Sequence, residues 1–394
     1  MNIVFCTNYM NHHQNEMSAY LKKTCGGRYS FIACEKIKKK RLKLGYEDMN
    51  KKYDFVIRPY ESKTEQKKAE DAIKNSDIVI FTSGDEKYFR MAIKLGKLVF
   101  KASERILKRG VWFRYFIPKM IRTYTRYTKY KNKKNFYVLC SSAYTSYDLN
   151  LSGFPSQKCF KWGYFPEVNK HNIEALISSK NKGLILWVGR FIDWKHPEAP
   201  VLLAEKLKKD GYEFELNMIG TGKLYNKIER LIENKNLSDK VKLVGAMSPE
   251  NVRKYMEQSN VCLLTSSFKE GWGAVLNEAM NSGCVCVASH AAGATPYLIE
   301  DGVNGFIYKY NNLQELYKKV VFILENEEKM KSVSIEAYNT ICCKWNAGFA
   351  GERFMEMTKK ITDDKKNYYV DGPCSEAVIL SNEWYDGMDY KIEL

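Results

Sequence analysis

Three short runs in the second half of the chain hold residue types that can do chemistry together. The first is Val188-Gly189-Arg190, with Lys195 five positions on. An apolar strand that ends on arginine, with a lysine where the next helix starts, offers a bidentate donor and a point charge suited to a diphosphate. Taken singly, the two are also ordinary surface cations. The second run is Gly220-Thr221-Gly222, where a glycine pair serves either a phosphate or a tight turn. The third runs from Lys269 to Met280 and reads KEGWGAVLNEAM. Gly271 and Gly273 leave N–H groups at a predicted helix start, an anion site helped by the helix dipole. Glu270 sits just before it, where a carboxylate repels phosphate and is expected to face hydroxyls instead. Glu278, flanked by Leu276 and Ala279, is expected half-buried and in need of hydroxyl donors such as those of a ribose or hexose. The plainer reading makes Glu270 a first-turn helix acid and Glu278 a solvated face residue.

These runs need a scaffold, and short apolar stretches alternating with amphipathic ones predict an α/β protein with parallel sheets. In the first half, strands are expected at Ile3–Thr7, Ile78–Thr82, Leu98–Lys101 and Phe136–Cys140, with a helix over Ala143–Leu151. In the second half, strands are expected at Leu184–Gly189, Glu215–Ile219, Val241–Val244, Val261–Thr265 and Cys284–Ala288. Helices are expected near Pro197–Lys209, Gly222–Ile232, Pro249–Gln258, Asn312–Glu325, Glu327–Cys342 and Gly348–Ile361. Another starts near Gly273 and is stopped by Gly283, and Thr295-Pro296 reads as an N-cap with proline at N1. The result is two Rossmann-like halves, 1–165 and 184–345, joined by a polar hinge at 166–183 and followed by a returning helix and tail at 346–394. In such sheets ligands bind at the carboxyl ends of the strands, which is where the three runs fall.

In order and spacing, VGR…K…IGTG…VKLVG…EGWGAVLNEAM…DGVNG resembles the retaining glycosyltransferase family 4, whose signature is E-x7-E. The resemblance covers about residues 184–325. It implies a GT-B fold, two Rossmann-like domains facing a central cleft, and a nucleotide diphosphate sugar as donor substrate. It further implies that Arg190 and Lys195 bind the donor diphosphate, that Glu270 lies against the transferred sugar, and that Glu278 holds the ribose hydroxyls. Backbone of Gly271, Trp272 and Gly273 contacts sugar and phosphates, and the base lies near Gly245–Ser248. Glu270, Arg190 and Lys195 are thus the expected catalytic set, with configuration retained and no metal or cofactor. No D-x-D sits at a strand end. His196 stands where the family has glycine, Cys284 replaces a common proline, and Tyr297 replaces a common glutamate. The family's glycine-rich first loop is replaced by Asn8–Gln14, in which His13 either reaches a ligand or serves the helix start. KWGYFPE (161–167) and YYVDGPCSEA (368–377) resemble polysaccharide-assembly members, which implies a glycan or lipid-linked acceptor.

Charge is divided unevenly. Residues 1–168 hold 34 Lys and Arg against 15 Asp and Glu, while the remainder holds 29 against 31. No acid occurs between Arg105 and Tyr147. One half therefore faces an anionic partner. Within it, 109–134 carries nine basic and no acidic residues, with Ile117, Met120, Ile121, Tyr124 and Tyr127 at helical spacing. Such a helix either lies on an anionic membrane surface, with Lys38-Lys39-Lys40-Arg41 adding charge, or packs its stripe in the core. Nucleic acid is not expected, since no RNA- or DNA-binding signature accompanies the charge. A nucleotide-sugar epimerase of the same fold is the enzyme alternative. Eleven cysteines, none in a C-x-x-C pair, and an N-terminus without a basic region ahead of its apolar run fit a reduced, cytoplasmic setting.

Overall fold

A computed structural model describes residues 1–38, 42, 47–110, 113–365 and 369–387. The chain forms two compact units: Met1–Glu167 with Trp345–Ile379, and Val168–Lys344 with the residues from Leu380 on.

Among the described residues, the first unit is built on a seven-stranded sheet, with every neighbouring pair parallel. Its strands are β1 (Ile3–Thr7), β2 (Tyr29–Ala33), β3 (Val56–Ile57), β4 (Ile78–Phe81), β5 (Leu98–Ser103), β6 (Phe136–Cys140) and β7 (Cys159–Lys161), in the order 3-2-1-4-5-6-7. The apolar runs of β1 and β4 are buried along their whole length, as expected of parallel strands covered on both faces. Sequence reading missed β2, β3 and β7. The last two span only two and three residues, too few for a periodicity to register. The helix Ala347–Thr362, capped by Asn346, lies against the helix His12–Thr24, where Gly351 leaves room for the Tyr20 ring. The chain then runs along edge strand β7, through Cys374 N–Lys161 O, Lys161 N–Ser375 O and Ala377 N–Cys159 O bonds of 2.7–2.8 Å. Part of the tail thereby satisfies a sheet edge that would otherwise invite strand addition.

The second unit holds β8 (Asn181–Val188), β9 (Glu215–Ile219), β10 (Val241–Gly245), β11 (Ser259–Leu264), β12 (Val285–Ser289) and β13 (Phe306–Tyr308). Among the described residues they form one parallel sheet, in the order 10-9-8-11-12-13. Both sheets reverse direction of growth beside their first strand, between β1 and β4 and between β8 and β11. These are the topological switch points, where crossovers leave to opposite sides and open a crevice. β13 was not anticipated. Near its edge, the hydroxyl of Tyr385 donates to Ile307 O at 3.0 Å and its ring stacks on His290.

One local expectation is corrected, and the stretch expected as a hinge holds regular structure. Residues 166–183 include the change from the first unit to the second at Glu167 and Val168, the helix Ile173–Ser178, capped by Asn172, and the start of β8. Lys180 is buried, with Nζ donating toward the carbonyls of Met256, Glu257, Ser259 and Ser282 at 2.8–3.1 Å. Four carbonyls converging on one ammonium fix the end of this stretch within the second unit. Thr295 is the first residue of the short helix Thr295–Leu298 rather than its cap, which is Ala294. Gly283, by contrast, ends the helix Val275–Asn281 as expected. It adopts φ +64°, and Cys284 N bonds Ala279 O while Gly283 N bonds Met280 O, the paired bonds of a Schellman ending.

Candidate functional site

The three runs meet at the switch point of the second sheet. β8 delivers Gly189-Arg190 and the turn Asp193–Lys195; its neighbour β11 delivers Thr265–Gly273. A relay of hydrogen bonds ties them: Trp187 Nε1 donates to Thr265 Oγ1 at 2.9 Å, and that hydroxyl donates to Lys195 O at 2.7 Å. Ser267 N donates to Trp194 O at 2.9 Å. Held this way, Lys195 and Glu270 form an ion pair, with their side chains only 14% and 15% exposed. Ser266 Oγ donates to the same carboxylate oxygen at 3.1 Å. Arg190 is exposed at the strand end, its guanidinium 5.5 Å from the centre of the Trp194 ring.

Gly220-Thr221-Gly222 braces this loop. Phe191 N donates to Thr221 O at 3.0 Å, and a Cβ on Gly220 or Gly222 would lie 2.0 Å from Gly189 O or 2.4 Å from Phe191 O. The glycines are required by backbone crossing the Arg190 loop. Expected near the base, Gly245–Ser248 contributes similarly: Gly220 N donates to Gly245 O, and Ser248 caps the helix Pro249–Gln258.

Beyond Glu270, Gly273 adopts φ +103°, a conformation open to glycine at little cost, and turns the chain into the helix Val275–Asn281. Trp272 is fully buried, with its indole N–H on Asn277 Oδ1 at 2.8 Å and its carbonyl accepting from Ala294 N. Its ring belongs to the core, so any ligand contact falls to its backbone. Glu278 is half-buried on the short helix. Burial pushes its carboxyl up to about 7, against the pull of the Arg253 guanidinium. Arg253 Nη1 also donates to Glu278 O at 2.8 Å, and Nη2 bonds Asn281 Oδ1. Nothing in the sequence marks Arg253, a helix-surface arginine chosen by the fold. His196 adopts φ +49°, which accounts for glycine at this place in the family it resembles. The histidine is held there by Glu198 Oε1 and the Tyr310 hydroxyl, each at 2.7 Å.

A second feature was not foreseen. The first unit has a cavity of about 940 Å³ at the carboxyl ends of β1, β4, β5 and β6. Thr7 and Ser83 are among its lining residues, with Thr82 Oγ1 donating to Thr7 Oγ1 at 2.7 Å. One wall is the loop 104–110. Buried Asp148 fixes it, accepting from Ile106 N and Leu107 N at 2.7 and 2.8 Å and pairing with Arg105. Another wall is the helix Phe113–Arg126. On it Ile117, Ile121 and Tyr124 are exposed while Thr123 is buried. The helix ends at Arg126, and Tyr127, just beyond it, is buried. The anticipated apolar stripe is therefore divided between solvent and core. Lys39, Lys40 and Arg41, expected to extend the basic patch, lie outside the described residues, as does Tyr368. His13 meets the helix start through its backbone. Its amide donates to the cap Asn11, and its ring stacks on Tyr164 with centroids 5.5 Å apart.

Residues 168–340 match the model of a family described as glycosyl transferases group 1. Through that segment the chain is similar to the group 1 glycosyltransferases. An uncharacterized glycosyltransferase of Methanocaldococcus jannaschii is 29% identical over 228 residues, 58% of each chain. The amylovoran biosynthesis glycosyltransferase AmsK of Erwinia amylovora is 27% identical over 235 residues, 58% of this chain and 57% of its own. The matches thus span little over half the length of these curated relatives. Among solved structures, Anabaena HepE in complex with UDP aligns at TM-score 0.68 and 15% identity, over 91% of this chain and 100% of that one. The lipopolysaccharide outer core galactosyltransferase WaaB aligns at 0.64 and 17%, over 91% and 100%. These likenesses, with the two parallel sheets, establish a GT-B fold for the chain.

Proposed function

We propose that this protein is a retaining glycosyltransferase that moves a hexose-type sugar from a nucleotide diphosphate sugar to a glycan or lipid-linked acceptor, in cell-surface polysaccharide synthesis. The observation that carries the reading is the meeting of Lys195 and Glu270 at the switch point, on loops that also hold Arg190 and lead to Glu278. Cations and carboxylates side by side suit a ligand that is phosphate at one end and polyhydroxyl at the other. In this reading Glu278 accepts from the ribose hydroxyls, Glu270 faces the sugar, and Gly271–Gly273 supply backbone. The acceptor hydroxyl attacks the anomeric carbon from the face the diphosphate leaves. One C–O bond forms as the other breaks, the acceptor's proton passes to a diphosphate oxygen, and configuration is retained. Arg190 and Lys195 stabilise the charge that develops on the diphosphate without a metal.

The names of relatives support the acceptor class. They include the amylovoran enzyme and a poly(glycerol-phosphate) alpha-glucosyltransferase of Bacillus subtilis. HepE, solved in complex with UDP and with UDP-glucose, supports a uridine donor. Among the described residues no helix is long and apolar enough to cross a membrane. The exposed row Ile117, Ile121 and Tyr124 supports a peripheral position on the inner face of the cell membrane. The test is a thermal-shift screen of nucleotide sugars, followed by product analysis of the best donor with EDTA present. A donor at 100 times its Kd stabilises by about 2.7 kcal/mol. Transfer with the anomeric configuration kept is expected. Isomerisation of the donor without transfer would instead make the protein an epimerase, and complete loss with EDTA restored by Mg²⁺ would refute the metal-free step.

A further inference from the structure

The cavity of the first unit has a chemistry of its own. Lys108, Arg109, Lys119, Arg122 and Arg126 line it, against Glu104 as the lining carboxylate, already engaged by Lys108 and the Tyr164 hydroxyl, while Arg126 also pairs with Glu86 at 3.6 Å. On the helix Phe113–Arg126 the spacing of Lys119, Arg122 and Arg126 puts all three on one face, toward the cavity, while Ile117, Ile121 and Tyr124 are exposed elsewhere. These cations feel one another. Burial holds the Lys119 ammonium below the usual lysine range, and Arg122, Lys108, Arg109 and Arg126 push it further down. Gathering like charges around one space is unfavourable unless something anionic occupies it. Lysine and arginine also only donate hydrogen bonds. A neutral sugar, with as many donors as acceptors, leaves such a wall half used. A lone carboxylate engages one or two of the cations, whereas a phosphate or diphosphate offers oxygens to most of them. At about 940 Å³ the space suits a saccharide-sized headgroup.

We propose that this cavity binds a phosphate or diphosphate group, and that the acceptor sugar carries it. The second clause rests on the transferase reading; the first does not. The site takes inorganic pyrophosphate as its simplest probe, and calorimetric titration of the full chain at low salt tests it. Wild type is expected to bind at two places, one at Arg190 and Lys195 and one in the cavity. The exposed pair K119Q/R122Q should fold normally by thermal melting and weaken the cavity site roughly a hundredfold, about tenfold per charged bond lost, leaving the other. R190Q/K195Q should do the reverse. Pyrophosphate binding in K119Q/R122Q with wild-type affinity and stoichiometry overturns the proposal, whatever R190Q/K195Q does. Unchanged UDP binding in R190Q/K195Q counts against the donor reading alone. Phosphatidylcholine vesicles doped with farnesyl diphosphate separate the carriers. Capture that depends on Lys119 and Arg122 supports a lipid-borne group. Binding of free pyrophosphate without vesicle capture supports the anion site with a soluble acceptor.

Discussion

Replacing Glu278 by glutamine tests whether a carboxylate proposed to bind the donor is held at the expense of stability. Burial raises its carboxyl from an ordinary 4.5 to about 7. The folded protein thus binds this proton more tightly than the unfolded chain does. The destabilisation is absent below about pH 4.5, grows as pH rises toward 7, and is complete above it. A shift of this size is worth on the order of 3 kcal/mol at full ionisation. The neutral amide of Glu278→Gln removes that term. The variant should therefore melt several degrees above wild type at pH 8 and at nearly the same temperature at pH 5. Donor binding should move the other way, losing roughly 1.5–3 kcal/mol as charge-assisted bonds to ribose hydroxyls become neutral ones. Scanning calorimetry at both pH values, with and without UDP, reads both effects. An equal melting difference at pH 5 and pH 8 would refute the buried-carboxylate argument. A variant that binds UDP as tightly as wild type would refute the ribose role.

Three further outcomes are expected. Lys195→Gln removes the ion-pair partner of Glu270 and, in the proposed mechanism, a donor to the departing diphosphate, so kcat for transfer should fall about 100-fold or more; a variant within a few-fold of wild type removes Lys195 from the chemistry. Gly222→Ala drives a methyl into Phe191 O, 2.4 Å from the ideal Cβ, and should cost about 1–3 kcal/mol of stability while weakening donor binding through the displaced Arg190 loop; an unchanged melting temperature and Kd would show that the loop yields freely. Ile121→Asp places a charge in the exposed apolar row and should reduce sedimentation with phosphatidylglycerol vesicles at low salt; equal sedimentation of variant and wild type would assign the row another purpose.

Much of the second unit's fold was legible because parallel strands buried on both faces must be apolar throughout. Runs such as LILWV and VCLL stand out against charged helices for that reason. The first unit was less legible. β2 offers only YSFIA, β3 two residues and β7 three, and each is a strand because its neighbours supply the hydrogen bonds. The local structure of 166–183 was illegible for a related reason. Lys180 reads as a surface lysine until carbonyls from 256–259 and 282 converge on its ammonium.

By itself the sequence determined the alternation of strands and helices, the glycines that let backbone cross backbone at 220–222, and the spacing of Glu270 and Glu278. It also determined the acid-free stretch from Arg105 to Tyr147. The tertiary structure alone decided that Lys195 and Glu270 are partners, because β8 and β11 lie side by side only once the crossovers set the strand order. It alone decided that Lys119 and Arg122 line a cavity while Ile117 and Ile121 meet solvent. Periodicity tells which residues share a face of an element. What that face meets depends on contacts between segments far apart in the chain, and no local pattern encodes them.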